Sequence, residues 1–163
     1  MYEQPRLVCL ASGAAEGDSG LTAFDNALRK GGIGDVNLMR VSSIVPPGAK
    51  MSPLPDLPMG SLTPAAYAVE TSSVPGQVIS ACIGVGWTPR GGVLMEAHGV
   101  NETAEQIEAR TKLMVEEGMR VRGLEPFELH FATAEHTVEH IGSAIAAAVL
   151  WYDAGTSGTD TGR

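Results

Sequence analysis

The feature that most constrains the fold is an apolar run that stops at two serines and leads into a proline-rich stretch. Residues 36–41 read Val-Asn-Leu-Met-Arg-Val, and Ser42 and Ser43 follow them. Six prolines between residues 46 and 64 forbid regular structure there. Because proline fixes φ and biases the preceding residue to an extended conformation, the pattern predicts a strand that ends in a constrained turn at the two serines.

A serine in a constrained turn can attack the peptide bond that precedes it. If Ser43 Oγ attacks the carbonyl carbon of Ser42, the amide becomes an ester, and β-elimination then leaves dehydroalanine at position 43. Hydrolysis yields a pyruvoyl group and ammonia. A pyruvoyl group can form a Schiff base with an amine and accept electrons from a carbanion, as pyridoxal phosphate does elsewhere. An isolated serine pair is most often a solvated loop, and self-cleavage is expected here because of the sequence that surrounds the two serines.

Two helices are predicted from apolar spacing and capping signals. The first covers about residues 21–30 and stops at Gly31, and its apolar face consists of Leu21, Phe24 and Leu28. The second begins at a capping box, in which the Thr103 hydroxyl and the Gln106 side chain satisfy first-turn amides, and it runs to about Arg122.

The other apolar segments predict strands and an α+β layered sandwich. The strands are expected at residues 6–11, 36–41, 67–72, 77–85, 92–98, 128–135 and 143–152. Residues 67–85 are interpreted as a hairpin. Periodicity does not separate helix from buried strand at 143–152, and we favour a strand because Val149–Tyr152 prefers sheet. We expect one domain over residues 1–152 and a disordered tail at 153–163.

Composition excludes several classes of function. The net charge is −8 with only 11 Lys and Arg, which argues against nucleic acid or anionic membrane as partner and is compatible with a cationic substrate. Cys9 and Cys82 lie in apolar runs and do not make a disulfide framework, so a reducing cytoplasm is the simplest location. We expect neither a signal peptide nor a membrane span, because no basic segment precedes a long apolar stretch.

Two short motifs admit other interpretations. Residues 136–140, His-Thr-Val-Glu-His, match the H-x-x-E-H pattern of some zinc proteases. If they form a strand, the two histidines stand ~13 Å apart, too far for one zinc ion, so we favour a polar strand end or turn and expect no metal. Gly32 to Gly34 resembles a phosphate loop but follows a helix and precedes a strand. A helix C-terminal turn that needs positive φ explains it better.

The order and spacing of five segments resemble the pyruvoyl-dependent arginine decarboxylases, and they span nearly the whole chain. The matching segments are Leu21–Leu28, Gly32–Pro47, Leu54–Gly60, Gly92–Glu96 and Glu135–Glu139. The resemblance implies an αββα sandwich with antiparallel sheets, cleaved into a β chain (1–42) and an α chain (43–163). It also implies a trimer with active sites between neighbouring subunits, and a pyruvoyl cofactor derived from Ser43.

The resemblance also suggests roles for individual residues. Glu96 is the expected proton donor to the substrate carbon after CO₂ leaves. Asn37 is the candidate donor that polarises the Ser42 carbonyl during cleavage. Asp25 is expected to pair with the substrate guanidinium, since a carboxylate and a guanidinium can form two parallel hydrogen bonds. Gly34 and Val36 are expected to line the substrate pocket.

The function expected on this basis is self-processing followed by conversion of L-arginine to agmatine and CO₂. Two alternatives stay open. The same mechanism could act on a different amino acid, or the chain could be an uncleaved homologue that binds a cationic small molecule without chemistry. Each of these candidate residues also has a plain structural explanation, as a solvated helix carboxylate, a strand residue or a turn.

Overall fold

The computed structural model describes residues 3–152, so the predicted disorder of residues 153–163 lies outside the described residues. Within this range the chain forms nine strands and two helices, and the α+β prediction is confirmed. In chain order the elements are β1 Leu7–Glu16, α1 Gly20–Lys30, β2 Asn37–Arg40, β3 Ile44–Val45, β4 Lys50–Ser52, β5 Leu62–Ser72, β6 Val78–Thr88, β7 Gly91–Val100, α2 Ala104–Val121, β8 Glu128–Thr137 and β9 Gly142–Trp151.

The strands form two sheets. Sheet one has the order β2-β5-β9-β1-β4, and sheet two has the order β3-β7-β6-β8. All pairs in sheet two are antiparallel. Sheet one is mixed, because its two edge strands, β2 and β4, pair in parallel with β5 and β1. The prediction of antiparallel sheets therefore holds for sheet two and for the interior of sheet one, and it is wrong at the two edges of sheet one.

Three sets of apolar contacts hold the layers together. Ala66 and Ala146 of sheet one pack against Ile83 and Leu94 of sheet two in a shared core. The outer face of sheet one is covered by α1, and the outer face of sheet two is covered by α2. This arrangement is compatible with an αββα sandwich. Neither helix of residues 3–152 combines the length and apolar character that a membrane span requires.

The face that α1 turns to the sheet agrees with the prediction at Leu28 and Phe24 but differs from it at Leu21. Leu21 is 75% exposed, whereas the alanines at 23 and 27 are fully buried with Leu28. The reason is the closeness of helix and strand: a Cβ added at Gly13 of β1 would lie 2.4 Å from the carbonyl oxygen of Ala27. Only the small side chains of the helix fit into such a contact.

The interpretation of residues 67–85 as a hairpin is wrong. β5 belongs to sheet one and β6 belongs to sheet two, so the connection at Ser73 to Gly76 passes between the sheets. Apolar residues of both strands meet across the shared core. Two apolar strands joined by a tight turn have the same local pattern in either arrangement, which is why the sequence favoured the commoner one.

Three further strand assignments depend on which strands pair. β1 continues to Glu16 and thus includes residues that were predicted to be a loop, because Gly13 to Ala15 pair with β9. β4 gives the proline-rich stretch three residues of strand. The favoured strand at the end of the chain is confirmed as β9, which lies between β5 and β1 and is buried on both faces.

Candidate active site

The bond between Ser42 and Ser43 lies where the chain passes from one sheet to the other. β2 of sheet one ends shortly before it, and β3 of sheet two begins directly after it. The N–H group of Val41 donates to the carbonyl oxygen of Ala65 at 3.1 Å, and the N–H group of Leu94 donates to the carbonyl oxygen of Ser43 at 2.8 Å. Sheet hydrogen bonds therefore hold both sides of this bond. Ser42 is exposed and Ser43 is half-buried.

Glu96 lies on β7, two residues beyond the residue that binds the Ser43 carbonyl. Its Oε1 accepts a hydrogen bond from Arg40 Nη1 at 3.0 Å. The same guanidinium donates to the carbonyl oxygen of Tyr67 at 2.8 Å and lies 3.9 Å from the centre of the Tyr67 ring. Arg40 thus connects the strand that leads into the serine pair with the carboxyl group on the opposite sheet. Nothing in the local sequence indicated this pair.

The surroundings of Glu96 suit an acid. Burial raises the pKa of its carboxyl group, and the positive charge of Arg40 and the neighbouring His98 offset part of that rise. His98 is itself held by Glu70, with 2.7 Å between Nδ1 and Oε2. A carboxyl group with a raised pKa keeps its proton closer to neutral pH, as a general acid must.

The predicted substrate residues line two neighbouring cavities beside α1. Gly34 and Val36 line an open cleft of about 980 Å³. Asp25 is exposed and lines a second cavity of about 700 Å³. Glu16 and Asn26 border both cavities, and Asn26 Nδ2 donates to the carbonyl oxygen of Glu16 at 3.0 Å. The structure therefore brings Asp25, Gly34 and Val36 to the same side of the molecule.

The glycine turn after α1 shapes this cleft. Gly32 has φ +79°, which confirms the interpretation as a helix C-terminal turn. A Cβ at Gly34 would lie 2.8 Å from the Cα of Arg29 and 2.3 Å from its Cγ. Only glycine allows the chain to pass so close to the end of the helix.

Asn37 does not reach the Ser42 carbonyl of its own chain. It stands at the start of β2, where its Nδ2 donates to the carbonyl oxygen of Gly60 at 2.9 Å. The chain from Asn37 to Val41 is extended along β5, so the Cα atoms of Asn37 and Val41 lie ~13 Å apart, and Ser42 follows Val41. Within one chain the serine pair and Glu96 lie at one end of β2, and Asn37 lies at its opposite end.

The H-x-x-E-H segment forms a strand end and a turn around Glu16, the interpretation that we favoured from the sequence. Glu16 Oε1 lies 2.5 Å from His136 Nε2 and accepts from the N–H group of Glu139 at 3.0 Å. Oε2 accepts from the N–H groups of His140 and Ile141, both at 2.9 Å. Burial alone raises the pKa of Glu16, but the hydrogen bonds from His136 and the turn outweigh it and lower the pKa to about 2.

The chain is similar to known proteins over nearly its whole length. The profile of the family described as pyruvoyl-dependent arginine decarboxylase matches residues 7–154. The chain is 44% identical over 155 residues to the pyruvoyl-dependent arginine decarboxylase of Methanocaldococcus jannaschii, with 93% of each chain covered. It is 42% identical over 154 residues to the enzyme of that name from Thermococcus kodakarensis, covering 93% of this chain and 98% of the relative.

These similarities first define a class, that of decarboxylases that carry a covalently bound pyruvoyl group. The match covers both sheets and both helices, the serine pair and the cavities beside α1. The chain belongs to the pyruvoyl-dependent arginine decarboxylase family.

Proposed function

We propose that the chain is a precursor that cleaves itself between Ser42 and Ser43. Ser43 Oγ bonds to the carbonyl carbon of Ser42 while the C–N bond breaks. Loss of the Ser43 Cα proton and of the Cβ–Oγ bond then releases Ser42 as a carboxylate. Water replaces the nitrogen, which leaves as ammonia, and a pyruvoyl group remains at position 43. The products are a β chain of residues 1–42 and an α chain of residues 43–163, held together in the four-layer sandwich.

One observation supports this proposal above the others: the two serines stand at the crossing between the sheets, with hydrogen bonds on both sides of the bond to be broken. Fixing the chain there keeps the Ser43 hydroxyl near its own peptide and supplies the orientation that an intramolecular attack requires. After cleavage each new chain end remains anchored, Val41 to β5 and Ser43 to β7.

The mature enzyme converts L-arginine to agmatine and CO₂, the activity indicated by the names of the relatives. The pyruvoyl group supplies the carbonyl electrophile that takes up the electrons of the breaking carbon–carbon bond. Position 43 fits such a group, because it is half-buried and the Leu94 N–H group holds its carbonyl oxygen in place beside β7. Glu96 then donates the proton that replaces CO₂ on the substrate carbon.

Asp25 selects the substrate by its guanidinium group. A planar guanidinium pairs with a carboxylate through two parallel hydrogen bonds, which distinguishes arginine from lysine by geometry as well as charge. The exposure of Asp25 and its position on a cavity leave the carboxylate open to such a ligand. Gly34 and Val36 line the adjoining cleft, which accommodates the rest of the substrate.

The active site is completed between copies of the chain in a trimer. The separation along β2 supports this, because Asn37 lies too far from the Ser42 carbonyl group to act on it within one chain. In the trimer, Asn37 of one copy stabilises the oxyanion that forms at Ser42 of the next copy. Exposed apolar side chains on or near the edge strands β2 and β3 provide a surface for assembly: Met39, Ile44, Met59 and Leu62.

The proposed location is the cytoplasm, and the proposed partner is a small amino acid rather than a nucleic acid or a membrane. Cys9 and Cys82 are both buried free thiols, and burial raises the pKa of each, so they remain protonated and unreactive. The net charge of −8 favours a cationic ligand.

Product analysis tests the activity. Purified protein incubated with L-arginine should release agmatine and CO₂ in equal amounts, and lysine, ornithine and histidine should react more slowly. Preference for one of those amino acids would keep the mechanism and change the substrate. An intact chain that releases no CO₂ from any of them would support a homologue that only binds a cationic molecule.

A further inference from the structure

Arg40 connects the two sheets at the edge of the sandwich that carries the Ser42–Ser43 bond. β2 ends at this residue, so the β5 carbonyl group at Tyr67 has no strand beside it, and the Arg40 guanidinium takes that place. The same Nη1 atom also donates to Glu96 Oε1 on β7. With 51% of the Arg40 side chain and 37% of the Glu96 side chain exposed, both groups have room to move.

The new end of the β chain will lie close to this pair. β3 pairs with β7 through Ile44 opposite Val93, and the Leu94 N–H group continues the pairing to the Ser43 carbonyl. Glu96 is two residues further along β7, and Arg40 is two residues before Ser42. The carbonyl group of Ser42 is uncharged in the precursor, whereas the cleavage derived above turns it into a carboxylate.

The charges around Glu96 are few. From its own strand comes His98, and from β2 comes Arg40. β5 contributes Glu70, which is occupied by His98, and Tyr67, which stacks under Arg40. β6, the neighbour of β7 in the sheet, places the apolar Ile83 opposite Glu96. A new carboxylate at Ser42 therefore competes for the same guanidinium that Glu96 uses.

On the basis of the self-cleavage proposed above, we propose that Arg40 is a positioning residue that changes partner when the chain is cut. It pairs with the Glu96 carboxylate in the precursor and with the new Ser42 carboxylate in the mature enzyme. Glu96 then loses a nearby cation and gains a nearby anion, and both changes favour its protonated form. Cleavage thereby favours the protonated form of Glu96 that turnover requires, which the pairing with Arg40 opposes in the precursor.

The protonation of Glu96 in the two states tests this proposal. Protein labelled with ¹³C at the glutamate Cδ is titrated by NMR in two forms, the uncleaved Ser43→Ala precursor and the cleaved wild type, and the Glu96→Gln variant identifies the resonance. The midpoint of the Glu96 titration should be about one pH unit higher in the cleaved protein, the size expected when an opposite charge is withdrawn. Equal midpoints would overturn the proposal.

Arg40→Gln isolates the role of the arginine. In this variant there is no guanidinium to change partner, so the difference in the Glu96 titration midpoint between the cleaved and uncleaved forms should shrink. Arg120→Gln, on the exposed side of α2, removes the same charge elsewhere and should leave the full difference. A full difference in Arg40→Gln would assign the effect to something other than Arg40. If that variant fails to fold, the comparison of wild type with Ser43→Ala still decides.

Intact mass measured on the same samples separates the two proposals. A cleaved wild type with equal Glu96 midpoints overturns the exchange of partners and leaves self-cleavage standing. An uncleaved wild type overturns both, because the Ser42 carboxylate would never form.

Discussion

Turnover depends on Glu96 in this mechanism, and its removal should separate turnover from cleavage. Glu96→Gln keeps size and hydrogen-bonding shape but has no proton to deliver, so turnover should fall by about 10²–10⁴, the usual contribution of a positioned general acid. Cleavage should persist, since elimination at Ser43 does not use an acid at the substrate carbon. Agmatine release and intact mass, measured on one preparation, report the two properties.

A matched change on α2 serves as control for Glu96. Glu117 is exposed on that helix, which covers the outer face of sheet two, so Glu117→Gln should keep normal turnover. Turnover at the wild-type rate in cleaved Glu96→Gln would assign the acid to another residue.

Asp25 should govern affinity for arginine without affecting cleavage. Asp25→Asn removes the carboxylate proposed to pair with the guanidinium, which should weaken arginine binding by roughly 1.5–3 kcal/mol, the range for hydrogen bonds to charged groups. The Michaelis constant for arginine, measured with fully cleaved protein, is the readout. Asp18 borders the same cavity, and Asp18→Asn is the control. An equal loss in both variants would indicate a general effect of charge in place of a specific pair.

Residues whose proposed roles depend on near neighbours could be singled out from the sequence, and contacts between distant residues could not. Ser42 and Ser43 stand out because strand, serines and prolines follow one another within a few positions. Arg40 and Glu96 are 56 residues apart, and Glu16 and His136 are 120 residues apart. Such pairs are set by which strands become neighbours, and no local pattern contains that information.

At the scale of elements, Glu16 fastens the end of β1 to the turn between β8 and β9. The folded pKa of about 2 lies below the ordinary value of 4.5, so the carboxylate stabilises the fold above pH 4.5 and this contribution is lost as the pH falls towards 2. Glu16→Gln should therefore lower the denaturant midpoint at pH 7, and the gap to wild type should narrow at pH 3.

The control for Glu16 lies in the same turn. Glu139 takes part through its backbone N–H group while its residue is exposed, so Glu139→Gln should unfold like wild type at both pH values. A constant gap between Glu16→Gln and wild type at pH 7 and pH 3 would show that the ionised carboxylate is not the source of the stability.

Whether a segment forms a helix or a strand was easier to predict than which strands lie beside each other. The capping box at Thr103 and the strand at β9 follow from local chemistry, and both are confirmed. The sheet assignment of β5 and β6 was wrong because apolar alternation does not say whether two strands pair side by side or face each other across a core. β1 was predicted too short because glycine and alanine are weak strand formers, and its pairing with β9 overrides that preference.

At the scale of the whole molecule, Asn37 and the serine pair lie at opposite ends of β2, and the proposed trimer completes the site between neighbouring copies. If neighbouring copies complete it, two inactive variants can restore each other: a site needs Asp25 from one copy and Glu96 from the next. Co-expression of Asp25→Asn with Glu96→Gln should therefore give mixed assemblies in which about a quarter of the sites have both residues, as expected for random heterologous contacts in a ring. Activity at low arginine concentration, measured against each variant alone, is the readout.

A second pair of variants tests whether recovery requires the two residues to come from different copies. Co-expression of Ser43→Ala with Glu96→Gln places both defects at the same end of β2, so mixed assemblies should stay nearly inactive. Recovery in that pair equal to the recovery in the first pair would contradict a site shared between copies in this way.

Self-cleavage at one bond is the central claim, and intact mass under denaturing conditions tests it most directly. The wild-type protein should give two polypeptides, one ending at Ser42 and one beginning at residue 43 with a pyruvoyl group that blocks Edman sequencing. Ser43→Ala should remain one chain, because no hydroxyl is left to attack, whereas Ser43→Thr keeps a hydroxyl and should still cleave. A wild-type chain that stays intact after prolonged incubation, or cleavage of Ser43→Ala at the same bond, would contradict the claim.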